Sequence, residues 1–201
     1  MEIIHKSHKV KTPEELKEYY RTWSSTYDTD VSACDYNGPE TIFNILTQRF
    51  NIYGSRILDV GCGTGLIADY LNADKYQLTI DGIDISQEML DIASKRNYYN
   101  EVSIVNVLNI SNPQSKKYDY IISAGMFTHN HVGPEAVENI INFLDIDGVF
   151  IFTVRNSFAV KTNFDDYIVD LVRRGKIKKS SKLEDQSYID EEKCSVYSLF
   201  V

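Results

Sequence analysis

An α/β fold, with a seven-stranded, mostly parallel sheet and helices on both faces, is predicted for this 201-residue chain by three observations. From Gly54 onward, short apolar runs alternate with amphipathic stretches. The first run ends in closely spaced glycines. The second ends in an aspartate. Apolar runs of this kind mark strands buried on both sides, and strands joined through helices pair in parallel.

Each element has a local cause. Thr12-Pro13-Glu14-Glu15 supplies an N-cap, a proline at the first helical position and acids in the first turn. Leu16, Tyr19, Tyr20, Trp23 and Tyr27 then recur at helical spacing, which predicts one helix packing a stripe on the sheet. A second helix is expected from Pro39 through Ile42, Ile45, Leu46 and Phe50. Both belong to a helical cover over residues 1–50. The core, residues 55–155, opens with a buried strand at Arg56-Ile57-Leu58-Asp59-Val60. A second strand runs from Leu78 to Ile85, and Ser86-Gln87-Glu88-Met89 caps a helix that continues through Ala93. Further strands are expected over Val102–Val107, Tyr118–Ala124 and Gly148–Val154, with a helix from Pro134 to Leu144. In residues 156–201, Phe164–Val172 reads as a helix, Lys176–Leu183 as a polar edge strand and Val196–Val201 as an apolar strand. No repeat or linker divides the chain, so a single domain is expected.

Composition narrows the function classes. With 43% hydrophobic and 25% charged residues, disorder is not the expectation. The formal net charge of −8 argues against a nucleic-acid partner, because neutralising phosphates requires a basic face. The one dense basic run is Arg173, Arg174, Lys176, Lys178, Lys179 and Lys182. Acids follow it from Glu184 to Glu192, so it reads as solvated surface. The cysteines Cys34, Cys62 and Cys194 are widely spaced without a Cys-x-x-Cys pair, which speaks against a zinc or dithiol centre and for reduced thiols. Met1-Glu2-Ile3-Ile4-His5-Lys6 has no signal-peptide pattern, and no stretch nears the roughly 20 apolar residues of a membrane span. A cytoplasmic protein without a membrane partner, monomeric or homodimeric, is the expectation.

The most informative segment is Asp59-Val60-Gly61-Cys62-Gly63-Thr64-Gly65, between a strand and a helix. Glycines there allow a tight turn and close approach of a ligand to the backbone. The dinucleotide fingerprint spaces its glycines as GxGxxG, whereas here they fall as GxGxG. A phosphate-binding P-loop needs a lysine where Leu66 stands. Asp84, about 20 residues further on, ends the second strand, where an acid accepts ribose hydroxyls. Loop, strand and acid together point to an adenosine-type cofactor.

At these residues the chain resembles the class I S-adenosylmethionine-dependent methyltransferases. The resemblance covers most of residues 50–155: Ile57 through Gly65, Gly82-Ile83-Asp84-Ile85-Ser86 with Met89, and Leu144-Asp145-Ile146-Asp147-Gly148 before the fifth strand. Tyr27-Asp28-Thr29-Asp30-Val31, with Tyr36 and Pro39, and Gly125 through Pro134 are similar to the methyltransferase-like group of the Williams–Beuren region and its bacterial relatives. The resemblance implies S-adenosylmethionine as cofactor. It implies that Asp59, Gly61, Cys62, Gly63, Thr64 and Gly65 form the loop facing the methionine moiety. Asp84 would hold the ribose and Ile85 would pack on adenine, with Met89 beside it. Asn106 stands where the family often has an aspartate bonded to the adenine amino group, and it accepts through its carbonyl oxygen instead. Val107, Ser123 and Ala124, at the strand ends, complete the expected cofactor set. Tyr27 would meet the methionine end.

Ligands of open parallel sheets bind beyond the carboxyl ends of the strands, which places Ser123–His131 beside the reacting methyl. His129 and His131 are candidate general bases, with His129 preferred as nearer the strand end. The alternative is a loop held by imidazole bonds. Their spacing is compatible with a metal pair, but no third ligand is evident and no metal is expected. Trp23, Tyr27 and Tyr36 are candidates to close over the sulfonium. Methyl transfer requires mainly alignment, so a catalytic residue is not obligatory. The expected activity is methylation of an O, N or S nucleophile on a small molecule. A protein or RNA acceptor, or a catalytically silent cofactor-binding protein, remains the alternative.

Overall fold

The computed structural model describes residues 12–110 and 116–201. The first six residues, used above against a signal peptide, lie outside the described residues, and so do the side chains of Pro13, Glu14 and Leu16. Seven strands form one sheet: β1 (Arg56–Val60), β2 (Thr79–Asp84), β3 (Glu101–Ile104), β4 (Tyr118–Phe127), β5 (Leu144–Arg155), β6 (Lys179–Ile189) and β7 (Glu192–Phe200). Their spatial order is β3-β2-β1-β4-β5-β7-β6. The first five pair in parallel, whereas β7 runs antiparallel to both β5 and β6. Among the described residues no helix is long and apolar enough to cross a membrane.

Strand alternation sorts the core into two layers. Leu58, Ile121, Phe150 and Phe152 face one layer, covered by α7 (Ala136–Ile141), α8 (Asn156–Thr162) and α9 (Phe164–Arg173). Ile57, Ile122, Val149 and Ile151 face the other, covered by α3 (Gly38–Arg49) and α4 (Leu66–Leu71). The short α5 (Ala73–Tyr76) leads into β2, and α6 (Gln87–Ala93) follows it. Helices lie on both faces, as expected.

The N-terminal stripe forms two helices rather than one. Thr12 Oγ1 accepts from Glu15 N at 3.1 Å and starts α1 (Pro13–Trp23). The chain then turns at Ser24–Thr26, and α2 (Tyr27–Ser32) begins at Tyr27. The root of this cover is tied to the far edge of the sheet. Asn37 N donates to Tyr188 O at 2.7 Å, and Asp190 N donates to Cys34 O at 2.9 Å.

Other boundaries differ for identifiable reasons. The third strand ends at Ile104, because Asn106 Oδ1 accepts from Leu108 N and closes a turn. The helix expected to reach Leu144 stops at Ile141, and Leu144 pairs with Tyr118 instead. The C-terminal strands are longer and form a hairpin, in which Asp185 and Asp190 take positive φ values that interrupt the polar run. Strand four continues to Phe127 through a bulge: Ser123 faces Phe152 and Phe127 faces Val154, so four steps on β4 match two on β5. Gly125 makes this possible at φ +90°, its N–H donating to Thr153 Oγ1 at 3.0 Å. A Cβ there would lie 2.6 Å from the Tyr36 hydroxyl.

Candidate active site

A cavity of about 230 Å³ opens at the carboxyl ends of β1, β2 and β4, where the connections leave β1 and β4 in opposite directions. Gly61 and Gly63 form its floor, with Asp84, Ile85 and Met89 along one side. Val105, Asn106, Val107 and Leu108 follow from the turn after β3. Ala124, Gly125 and Met126 enter from the β4 bulge, Asn130, His131 and Val132 from the segment beyond it, and Thr12, Tyr20 and Tyr27 from the cover.

The floor is set by backbone bonds. Gly61 N and Cys62 N both donate to Ile83 O, at 2.8 and 3.1 Å. Gly63 N donates to Asp84 Oδ2 and Ser86 N to Asp84 Oδ1, both at 2.9 Å. The Asp84 carboxylate is therefore anchored by an N–H on each oxygen, with the Ile85 N–H acting on it as well, and it keeps part of its acceptor capacity for a ligand. Burial raises its pKa against the opposing pull of those N–H groups. Gly63 sits at φ +54° with nothing within 4 Å of where a Cβ would stand, so the loop presents open backbone there.

Beneath the loop, Asp59 is buried and accepts from the Tyr99 hydroxyl at 2.7 Å. Burial pushes its carboxyl up to about 7, with the Tyr99 bond pulling down and nearby Asp84 pushing up. Cys62 is buried beside it, and burial drives its thiol well above the ordinary value, so it is not a ready nucleophile. Asp59, Cys62 and Thr64 line a smaller adjoining pocket with Tyr27 and Tyr36.

The cover is fastened to this floor. Thr64 Oγ1 donates to Asp28 Oδ1 at 2.5 Å, and Arg96 forms ion pairs with both Asp28 and Asp69. Tyr20 and Tyr27 face the cavity. Trp23 backs them, with its ring centroid 4.6 Å from that of Tyr27 and its Nε1 donating to Asp30 Oδ2 at 2.7 Å. Of the three aromatics expected to close the site, Tyr27 lines both pockets, Tyr36 the smaller one and Trp23 neither.

Several expected residues sit elsewhere. Gly65 packs against Tyr99 outside the cavity wall, and Ser123 is buried with no hydrogen-bond partner for its Oγ. Asn106 lines the cavity, but its carbonyl oxygen already serves the Leu108 turn. A ligand would meet its second lone pair or its amide N–H₂. The two histidines diverge. His131 lines the cavity, with Nε2 3.0 Å from the Tyr20 hydroxyl. His129 is turned to α8, with Nε2 3.0 Å from Ser157 Oγ and its ring edge-on to Phe158. Desolvation, then the charges of Arg155 and Lys161, lowers its pKa. The preference for His129 rested on its sequence distance from the strand end. The bulge carries β4 to Phe127, which places His131 and not His129 at the cavity. Among the described residues no cluster of three His, Cys, Asp or Glu side chains is assembled for a metal.

All of the basic run but Lys179, whose Nζ lies over the Phe200 ring, pairs with the chain's own acids. Arg174 and Lys176 pair with Glu138, Arg173 with Asp170, Lys178 with Asp147 and Lys182 with Asp165. Tyr20, Met126, Asn130 and Val132 were not anticipated as site residues. The Tyr20 position was visible as a helical-stripe residue, but nothing in the sequence distinguishes its cavity-facing side from the rest of the stripe.

A parallel sheet with an antiparallel β7 hairpin, a glycine loop after β1 and an anchored acid at the end of β2 together define a class I methyltransferase. The comparisons agree. A family model described as a methyltransferase domain matches residues 36–199, and the chain belongs to that family. S-adenosylmethionine is the cofactor of the class. Methyltransferase-like protein 27 of Homo sapiens is 28% identical over 137 residues, 67% of this chain and 56% of that protein. The cyclopropane-fatty-acyl-phospholipid synthase of Escherichia coli is 32% identical over 119 residues, 57% of this chain and 30% of the synthase. The chain thus spans only part of the length of these curated relatives. The plantazolicin methyltransferase BpumL, solved in complex with SAH, superposes with a TM-score of 0.61 at 15% identity over 100% of this chain and 99% of that one, a likeness of fold.

Proposed function

We propose that this chain transfers a methyl group from S-adenosylmethionine to an O, N or S nucleophile of a small molecule. The observation that carries the reading is a single cavity whose wall includes both the glycine floor with Asp84 and an aromatic end with Tyr20, Tyr27 and His131. The residues fit the cofactor: an anchored carboxylate retains acceptor capacity for a ribose hydroxyl, open backbone at Gly63 admits close approach, and Ile85, Met89 and Val107 supply apolar walls. When bound, S-adenosylmethionine supplies an electrophilic methyl on a sulfonium.

The chain's own residues then align the acceptor. Tyr27 brings an aromatic ring to the cavity wall, where a cation can meet it, and burial raises its phenol. Met126 and Val132 line the acceptor side with apolar surface. His131 is the residue placed to take the acceptor's proton. Orientation alone supplies about 7–11 kcal/mol, so His131 would refine a reaction that proximity already drives. The pairing of most of the basic run with the chain's own acids supports a small-molecule acceptor over RNA.

Calorimetry with S-adenosylhomocysteine and with NAD tests the cofactor, and tighter binding of NAD overturns the reading. Incubation with S-adenosylmethionine and a metabolite extract tests the acceptor. The expected result is one small-molecule mass that gains a methyl group. Methylation confined to added protein or RNA would replace the acceptor class.

A further inference from the structure

One hydrogen bond spans the cavity between the cover and the sheet edge. Tyr20 Oη lies 3.0 Å from His131 Nε2, with the ring centroids 5.6 Å apart. Tyr20 comes from α1 and His131 from the segment after β4, so the bond exists only when the cover is seated. The Tyr20 ring is held by its neighbours, stacked on Trp23 at 5.9 Å and tilted against Tyr27 at 6.3 Å. Burial above all, then the proximity of Tyr27 and Asp84, raises the Tyr20 phenol well above its ordinary value. It therefore keeps its proton at neutral pH and is available as a donor. An imidazole nitrogen that accepts carries no proton, so the ring's single proton then resides on the other nitrogen.

We propose that Tyr20 is a positioning residue for His131, its phenol donating to Nε2 and holding the imidazole as the Nδ1–H tautomer. The proposal rests on the methyltransferase reading and adds to it that the base is completed by the cover. An acceptor X–H that takes the phenol's place at Nε2 gives its proton to that nitrogen, which the Tyr20 bond has kept unprotonated. One X–H bond breaks and one N–H bond forms, and the imidazolium carries the charge. No outside proton carrier is required.

The test is ¹⁵N NMR of the histidine side chains in the full chain, with His131 assigned from a His131→Gln spectrum. The wild type is expected to show His131 as Nδ1–H. Tyr20→Phe, which keeps the ring and removes only the hydroxyl, is expected to move it toward Nε2–H, the tautomer free imidazole prefers. A wild type already in the Nε2–H form, or a tautomer unchanged in Tyr20→Phe, overturns the proposal. S-adenosylhomocysteine affinity, measured by calorimetry on the same samples, is expected to change by no more than about threefold. A loss above roughly tenfold would make Tyr20 a cofactor contact and also overturn it. Failure of the wild type to bind S-adenosylhomocysteine would sink the methyltransferase reading, and the tautomer measurement distinguishes that failure from this one.

Discussion

At the cofactor end of the cavity the walls come from strand ends and are fastened through main-chain N–H groups: Gly61 and Cys62 to the Ile83 carbonyl, Gly63 and Ser86 to the Asp84 carboxylate. At the acceptor end the walls come from the cover and the segment after the β4 bulge, and the cover meets the rest side chain to side chain, Tyr20 with His131 and Asp28 with Thr64 of the glycine loop. Main-chain bonds of the sheet persist as long as the sheet does, whereas side-chain bonds to a cover form and break with it. The first end is a preformed receptor, and the second depends on side-chain contacts between the cover and the rest of the wall.

A preformed receptor costs stability, and Asp59 reports that cost. Its carboxyl is raised from the ordinary value to about 7 by burial, while in the unfolded chain it titrates near 3.8. A raised folded pKa favours the protonated form, so its contribution to stability is complete below about 4 and lost as pH rises to about 7. The loss amounts to up to about 4 kcal/mol. Asp59→Asn removes the titration while retaining an oxygen for Tyr99. The stability of Asp59→Asn relative to wild type, from urea unfolding, is therefore expected to increase between pH 5 and pH 8 by about 2–3 kcal/mol. An Asp59→Asn difference that is flat with pH would mean that the floor carries no such cost.

Asp84 separates the two ends by ligand affinity. Charge-assisted hydrogen bonds contribute on the order of 1.5–3 kcal/mol each, so Asp84→Ala is expected to weaken S-adenosylhomocysteine by about 100-fold. His131→Gln, at the acceptor end, should alter it by less than about threefold. Calorimetry on both variants decides, with thermal melting to verify that the loop is intact. Equal losses in the two would erase the distinction between receptor and acceptor ends.

The same division governs what the sequence reveals. The cofactor end is local: Asp59 through Gly65 lies in one segment, and Asp84 follows at a strand end, so spacing alone exposes it. The acceptor end is made of pairs distant in the chain, such as Tyr20 with His131 or Asp28 with Arg96, and pattern within a window does not register them. The ranking of His129 above His131 failed to anticipate the bulge at Gly125, because a glycine within a strand end reads equally as its terminus. The parallel strands were legible as apolar runs. The hairpin's true extent was not, since β6 is an edge strand with most of its residues exposed and so lacks an apolar run.

The smallest expected effect tests how the cover is held. Asp28 accepts from Thr64 Oγ1 on the glycine loop and pairs with Arg96, which also pairs with Asp69. These side chains are partly exposed, so salt screens the ion pair and the latch is worth only about 1 kcal/mol. If the cover must lift for the cofactor to leave, Asp28→Ala should speed S-adenosylhomocysteine release about fivefold in stopped-flow displacement. Asp28→Asn keeps an oxygen for Thr64 and removes the charge, so it should fall between the two. Raising salt from about 0.05 to 0.5 M should accelerate release from wild type but barely affect Asp28→Asn. An unchanged release rate in Asp28→Ala would mean that the cofactor departs without moving α2, and that the cover is as permanent a wall as the glycine floor.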